Sequence, residues 1–284
     1  MSNNYKLTGA NGDSITFDTS NYVLNQSLIG FGIPPTSVRI DDNVRGGGVH
    51  RYTRRAVRNV DLPVTVIGTS ATDVETKIRR LARLTQDTSG PTVLTAVRDA
   101  GDLNLNVHYT GGAELEYGGE NGGTTWAKLL LSFQAPNPYW QSATTQSFSV
   151  TTGNTGRGLL PQLTKLRVSS SQALGLINVT NNSDVPIYPT FEIVGPVEDL
   201  EVTLNGQGWK FTEAVTTGDI YTVDHENATI TGIGDINRYD ILDTSPKFFA
   251  FPPGTSSVLV TGTNADLNTS ITCEYNLAFE VVHG

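Results

Sequence analysis

Apolar and polar residues alternate over short stretches along most of this chain, and in one place only the spacing lengthens to that of a helix. In the first half, Ser14–Phe17 and Tyr22–Ile29 read as short strands. A longer strand is expected over Arg55–Ile67, where Leu62, Val64 and Val66 alternate with Asp61, Pro63 and Thr65. Pro63 cannot donate to a sheet ladder, so it points to an edge position or a bulge. The helix is expected over 73–85. Val74, Ile78, Leu81 and Leu84 recur at four, three and three, and Thr72-Asp-Val-Glu75 has the capping-box pattern. Lys77, Arg79, Arg80 and Arg83 fill its remaining surface, and Ser89-Gly-Pro91 closes the unit. Thr92–Arg98 and Leu103–Tyr109 follow as strands; the latter sets Leu103, Leu105, Val107 and Tyr109 against Asn104, Asn106 and His108. A flexible loop is expected at the glycine-rich run 118–123.

The next strand, from Trp126 through Leu129, Leu131 and Phe133, stops against Pro136 and Pro138. Proline ends ladder pairing and restrains the residue before it. Pro138, Tyr139 and Trp140 therefore read as a seam between domains, with an unstructured polar run from Gln141 to Leu160 after it. Beyond the seam no helix is expected. Short strands are read at Tyr188–Val194, Leu200–Leu204, Ile220–Val223, Thr229–Ile233, Tyr239–Leu242, Ser257–Thr261 and Ile271–Val282, separated by turn residues in the manner of a sandwich or jelly roll. The fold class is mainly β: an N-terminal β-sandwich with one helix over 1–145, and a C-terminal β-sandwich or jelly roll over 146–284. The length agrees with two domains at roughly 150 residues each.

Charge marks the same seam. Thirteen Lys and Arg balance thirteen Asp and Glu through residue 145; beyond it six face fifteen, so the whole net charge of −9 falls in the second half. An acidic half does not suit phosphate neutralisation. The single cysteine, Cys273, excludes an internal disulfide and a paired-cysteine zinc site, and its apolar run marks it as a small buried hydrophobe. No stretch is long and apolar enough to span a membrane, and the N-terminus lacks the pattern of a signal peptide. Asn-x-Ser/Thr triplets at Asn25, Asn178, Asn181, Asn227 and Asn268 are expected to be incidental.

Candidate chemistry is sparse. His50, His108, His225 and His283 are far apart and show no metal-binding spacing, so neither a metal nor another cofactor is expected. Nucleophile-elbow and phosphate-loop motifs are absent. The glycine clusters at 30–32, 46–48 and 153–158 read as turns. Asp219, Asp224, Glu226, Asp235 and Asp240 offer carboxylates in number, without calcium-loop spacing; they read as solvated loop charge rather than a catalytic pair. No catalytic residue is assigned. The main polar anomaly is basic: Arg39, Arg45, Arg51, Arg54, Arg55 and Arg58 crowd into twenty residues. An oligomer contact, a solvated loop and a nucleic-acid patch are the readings, in that order.

Several motifs, in order, resemble one family. Ile29-Gly-Phe-Gly-Ile-Pro-Pro35 precedes a Gly-rich, Arg-containing segment, then the strand to Gly68, the helix, and the closing Ala135-Pro-Asn-Pro-Tyr-Trp140. Asn181-Asn-Ser-Asp-Val-Pro-Ile-Tyr-Pro-Thr-Phe-Glu-Ile-Val-Gly-Pro196 and Ser245-Pro-Lys-Phe-Phe-Ala-Phe-Pro-Pro-Gly254 continue the pattern in the second half; residues 141–176 match nothing in it. The chain thus resembles the distal tail proteins of siphophages, which form the hub of a long non-contractile tail. The resemblance implies a structural virion protein without catalysis, its belt domain building a ring, usually a hexamer, and its outer galectin-like sandwich facing away from the axis. It implies as partners other copies of itself, the tail tube protein, the tape measure protein, and tail-tip, tail-associated or receptor-binding proteins. DNA would pass through the ring without sequence-specific binding, there would be no membrane insertion, and assembly would occur in the host cytoplasm. The first half alone is expected to hold the ring contacts. Two other readings stay open: a carbohydrate-binding module or glycan-directed enzyme, for which Trp209 with Tyr221 or Tyr239 are the available aromatics, and a tail-tube-like virion subunit.

Overall fold

A computed structural model describes residues 4–25, 27–86, 90–114, 122–151 and 173–282. In chain order the described elements are β1 (Asn4–Thr8), β2 (Ser14–Thr16), β3 (Tyr22–Leu24), β4 (Thr36–Asp42), β5 (Gly48–Arg55), β6 (Arg58–Ile67), α1 (Ala71–Leu84), β7 (Thr92–Val97), β8 (Leu103–Gly111), β9 (Trp126–Ala135), β10 (Trp140–Ser142) and β11 (Gln146–Thr151). They continue with β12 (Ala173–Asn181), β13 (Thr190–Val194), β14 (Glu198–Leu204), β15 (Gln207–Lys210), β16 (Ile220–Asp224), β17 (Thr229–Thr231), a 3₁₀ turn at Tyr239–Ile241, β18 (Gly254–Thr263), β19 (Ser270–Tyr275) and β20 (Ala278–Phe279). The fold is mainly β with one α-helix, as the pattern predicts. The glycine cluster 153–158, residues 118–121, Ser89 and His283 lie outside the described residues.

The chain divides into two compact units, Met1–Thr144 with Ala278–Gly284, and Thr145–Leu277. The first is built on a sheet in the order β2-β1-β7-β8-β9-β6-β3, with β10 against β8 and β20 against β10. Its centre is the ten-residue antiparallel pair β6–β9, which sets Val60, Leu62 and Val64 opposite Phe133, Leu131 and Leu129, all buried. Pro63 is therefore in the sheet interior, not at an edge. Its carbonyl accepts from Asn25 N, so the side on which it lacks a donor is the side where β3 has already ended.

Helix α1 packs on β6 and β9 through Val74, Leu81 and Leu84. It starts two residues before the expected box: Ser70 is the N-cap and its Oγ accepts from Asp73 N. Glu75, cast as the box carboxylate, instead pairs with Arg79 one turn on. Lys77 pairs with Asp73 and Arg80 with Asp13, so most of the basic face of the helix is engaged within its own unit.

Three expected strands change form. The run from Arg55 breaks at Ala56–Val57, and the residues before the break belong to a separate ribbon, β4–β5. The run Ile271–Val282 splits: β19 stays in the second unit, while β20 returns to the first and pairs Phe279 with Trp140. The strand expected at Tyr239–Leu242 is instead a 3₁₀ turn over Tyr239–Ile241, begun where Asn237 Oδ1 accepts from Tyr239 N, with Ile241 and Leu242 buried. Within the polar run after Trp140 the described residues form β10, paired with β8, and β11, paired with β19; residues 152–160 lie outside the described residues.

The second unit is a sandwich of two sheets, β11-β19-β13-β16-β17 and β12-β18-β14-β15. Phe191, Ile193, Val223, Ile271 and Cys273 from one sheet and Val202, Val258, Val260 and Trp209 from the other are all buried, and the Phe191 and Trp209 rings meet at 6.0 Å. Burial pushes the Cys273 thiol up, as befits a packed hydrophobe. Asn181 is also buried, its amide donating to the carbonyls of Val185 and Phe251, so it is no glycan acceptor.

His225 joins this core. Trp209 Nε1 donates to its Nε2 at 2.9 Å, and Nδ1 lies against the Phe249 backbone, 2.9 Å from its carbonyl and 3.1 Å from its N–H. Burial is the main force pulling the imidazole down, to about 4; the Phe249 carbonyl and the Asp224 charge oppose it. The unfolded chain takes up this proton near 6.5, the folded one only near 4. His225 thus costs no stability above pH 6.5, and its penalty grows as pH falls to 4, reaching about 3 kcal/mol. We expect the urea midpoint of the second unit to fall between pH 6.5 and 5, above the carboxylate range, and His225→Phe to remove that slope; a wild-type midpoint flat over this window would show the ring to be solvated.

Candidate functional site: an arginine ribbon rooted on a buried arginine

Five of the six clustered arginines lie on the β4–β5 ribbon. Its turn needs left-handed backbone at Gly46 (φ +91°) and Gly47 (φ +75°), which glycine adopts without strain. The register places Ser37 opposite Arg54, Arg39 opposite Tyr52 and Asp41 opposite Val49 on one face, and Val38 opposite Thr53 and Ile40 opposite His50 on the other. Arg51 is the extra residue of a bulge between these two blocks. It donates to Asp41 Oδ2 at 2.6 Å, Arg39 reaches Asp41 Oδ1 at 3.4 Å, and the Arg54 guanidinium lies 5.7 Å from the Tyr52 ring centre. His50 Nε2 contacts Thr53 Oγ1 at 2.7 Å. One face is thus cationic and aromatic. The other is aliphatic and exposed, with Val38 at 53% and Ile40 at 59%, and Val44 stands fully in solvent at the turn beside Arg45. Among the described residues neither ribbon strand pairs with the main sheet. A ribbon with open edges and bare aliphatic residues is a surface made to be covered.

Arg58 stands apart from the other five. It is 1% exposed, and its guanidinium donates to four backbone carbonyls: Nε to Pro138 at 2.6 Å, Nη1 to Gly30 at 2.5 Å and Gly32 at 2.8 Å, and Nη2 to Glu280 at 2.7 Å. It is an internal brace, unavailable to a partner. Burial pulls its pKa down and the nearby Glu280 charge opposes this. Gly30 makes the arrangement possible: its φ is +96°, and a Cβ there would lie 2.2 Å from the Asn59 carbonyl. Arg55, the last residue of β5, donates to Thr36 Oγ1 at 2.8 Å, across the foot of the ribbon, and to Glu280 Oε1 at 2.9 Å.

Of the seam residues, Pro138 supplies one of the carbonyls on Arg58. Tyr139 is half-buried, with its N–H on Asn137 Oδ1. Trp140 is wholly buried in the core of the first unit, 5.6 Å ring to ring from Phe31. Glu280 and Thr36 were not legible as site residues; the only signal was a lone carboxylate inside the apolar run 278–282.

The remaining candidates do not converge. His50 is on the ribbon, His108 on β8 and His225 in the second core, and no group of three His, Cys, Asp or Glu that could hold a metal occurs among the described residues. Asp219 is held by Thr216, Asp224 accepts from Glu226 N and Asn227, and Asp240 pairs with Arg238, so these carboxylates serve turns and an ion pair. Trp209 and Tyr221 are buried; Tyr239 is exposed and leans on Phe248, which leaves no aromatic platform among these three.

No protein-family profile matches the chain, and no curated protein does. Solved structures do. The crystal structure of SPP1 Dit (gp 19.1), described as a paradigm of the hub adsorption apparatus in Gram-positive infecting phages, superposes with a TM-score of 0.68 at 16% identity, over 97% of this chain and 99% of that one. A chain of the phage P2 baseplate in its activated conformation with Ca gives 0.55 at 10% identity over 99% and 100%, and the form with Sr gives 0.55 at 8% over the same shares. The structural neighbours are phage tail hub and baseplate proteins, and over 97% of its length this chain shares the fold of SPP1 Dit.

Proposed function

We propose that this chain is the distal tail hub protein of a siphophage: a structural virion subunit that forms a ring, with six copies as the expected number, at the far end of the tail. The observation that carries the reading is the fold match over both units to SPP1 Dit, together with a ribbon whose aliphatic and arginine-bearing faces are bare in the single chain. The first unit, whose body was read as residues 1–145, builds the ring. Arg39, Arg45, Arg51, Arg54 and Arg55 lie at or near the contact between copies, where guanidinium groups suit interfacial carboxylates. The acidic second unit, read as 146–284 and bounded in the fold at Leu277, faces outward. The ring joins the tail tube protein and tape measure protein to the tail-tip or receptor-binding proteins. DNA crosses it without sequence-specific contacts, and the subunit assembles in the host cytoplasm and catalyses nothing.

Electron microscopy of the purified chain tests this directly, with a ring around a central hole as the expected image. Exchanging Arg39, Arg51 and Arg54 for Glu together should leave a folded chain that sediments as a monomer. A wild-type chain that stays monomeric at high concentration, or a ring indifferent to this triple exchange, would count against the ribbon as the contact.

A further inference from the structure

The residues after the second unit return to the first and fasten the foot of the ribbon. β20 pairs with β10, setting Phe279 beside Trp140. Three bonds beyond the pairing hold the same segment. The Glu280 carbonyl accepts from buried Arg58, the Glu280 carboxylate accepts from Arg55, and Val282 N donates to the Phe31 carbonyl at 3.0 Å. Each partner belongs to the ribbon or its approach. Phe31 lies in the stretch Gly30–Pro35 that leads into β4, and Arg58 also grips Gly30 and Gly32 there. Arg55 ends β5 and holds Thr36, the first residue of β4. Ala56 N closes the foot on the Pro35 carbonyl at 2.8 Å. The Arg55 and Glu280 side chains are 32% and 21% exposed, sheltered enough for the pair to hold a geometry and exposed enough to open without breaking the core.

We propose that Ala278–Val282 is a latch that fixes the direction of the β4–β5 ribbon and so makes assembly conditional on a fully folded chain. The consequence for assembly rests on the hub reading above; the mechanical coupling does not. The latch follows Thr145–Leu277 in sequence, so a nascent chain has the ribbon long before it has the latch. Until the second unit has been made and folded, Arg58 lacks the Glu280 carbonyl and Arg55 lacks its carboxylate, so the ribbon foot keeps only its local bonds, Ala56 to Pro35, Arg55 to Thr36 and Arg58 to Gly30 and Gly32. A subunit so held back cannot join a ring without its outward half. It also follows that a fragment ending at residue 145 lacks the latch and would not report the ring contacts fairly.

The test uses the full chain and reads two quantities, amide exchange of residues 36–55 by mass spectrometry and the oligomer by sedimentation. Arg55→Glu and Glu280→Arg should each speed ribbon exchange about tenfold while exchange in β6 and β9 stays unchanged, and the double exchange, which restores an opposite-charge pair, should slow it again. The single variants should also form fewer rings. Ribbon exchange unchanged in both single variants overturns the latch whether or not rings form. Faster ribbon exchange in chains whose wild type forms no ring upholds the latch and overturns the hub reading. Should either single variant fail to fold, Glu280→Gln, which keeps the carbonyl on Arg58 and removes only the charge, takes its place with the same expected direction.

Discussion

Replacing Arg58 with Met should destabilise the first unit by about 3–5 kcal/mol, because four carbonyls lose their donor at once and an unsatisfied buried group costs roughly 1–3 kcal/mol. The side chain is 1% exposed and gives all its contacts to backbone carbonyls, two from Gly30 and Gly32, one from Pro138 and one from Glu280. Hydrogen bonds to a charged group contribute roughly 1.5–3 kcal/mol each, so four of them outweigh the several kcal/mol of desolvation that a buried guanidinium costs. Met keeps the aliphatic stem and its packing, so the loss reports the fork itself. Lys restores the charge but not the geometry. Three donors on one nitrogen cannot reach four carbonyls spread around a planar fork, and Arg58→Lys should recover less than half of the loss. Urea unfolding followed by far-UV circular dichroism measures both. A loss below about 1 kcal/mol for Met would mean that water takes over the carbonyls.

Arg58 also shows what the sequence could not reveal. Six arginines in twenty residues form one cluster on paper, yet five lie on a ribbon and the sixth is the deepest charge in its unit. Nothing in the local pattern separates them, because the carbonyls that bury Arg58 come from residues 30, 32, 138 and 280. The ribbon escaped notice for the opposite reason. Neither of its faces is buried in the single chain, and its apolar alternation is confined to Val38 and Ile40 about Arg39, too short to read as a strand. Where one face is buried the reading was close: Val60, Leu62 and Val64 against Phe133, Leu131 and Leu129 are plain in the alternation, and Val74, Ile78, Leu81 and Leu84 mark the helix to within two residues. Strand ends failed where a partner decides them. The apolar run from Ile271 continues unbroken through Val282, although its last part pairs with β10 in the other unit. The motif ending at Trp140 was legible as a landmark where β9 stops, but β10 was not, since that strand needs Asn104 and Phe279 to be seen at all.

Trp140→Ala should destabilise the first unit by about 3–5 kcal/mol, the usual cost of emptying a large aromatic site that cannot collapse. The side chain is wholly buried, packs beside Phe31, and belongs to the core that also takes in Val282 from the latch. Its environment is not ideal for it. The indole Nε1 is buried without a hydrogen-bond partner among the described residues, and an unsatisfied donor costs roughly 1–3 kcal/mol. Phe fills most of the space and brings no donor, so the packing lost in Trp140→Phe is largely offset, and this variant should fall within about 1 kcal/mol of the wild type. The contrast between the two variants separates volume from polarity. A wide gap between Ala and Phe upholds a packed ring in a dry site. Equal losses would mean that the N–H finds a partner in solution, and losses below about 1 kcal/mol in both would mean that Trp140 stands exposed. The Ala variant should also loosen the latch, because β20 lies against the residue removed. Ribbon exchange in Trp140→Ala should therefore rise along with the fall in stability, whereas in Arg55→Glu it should rise with little change in the core.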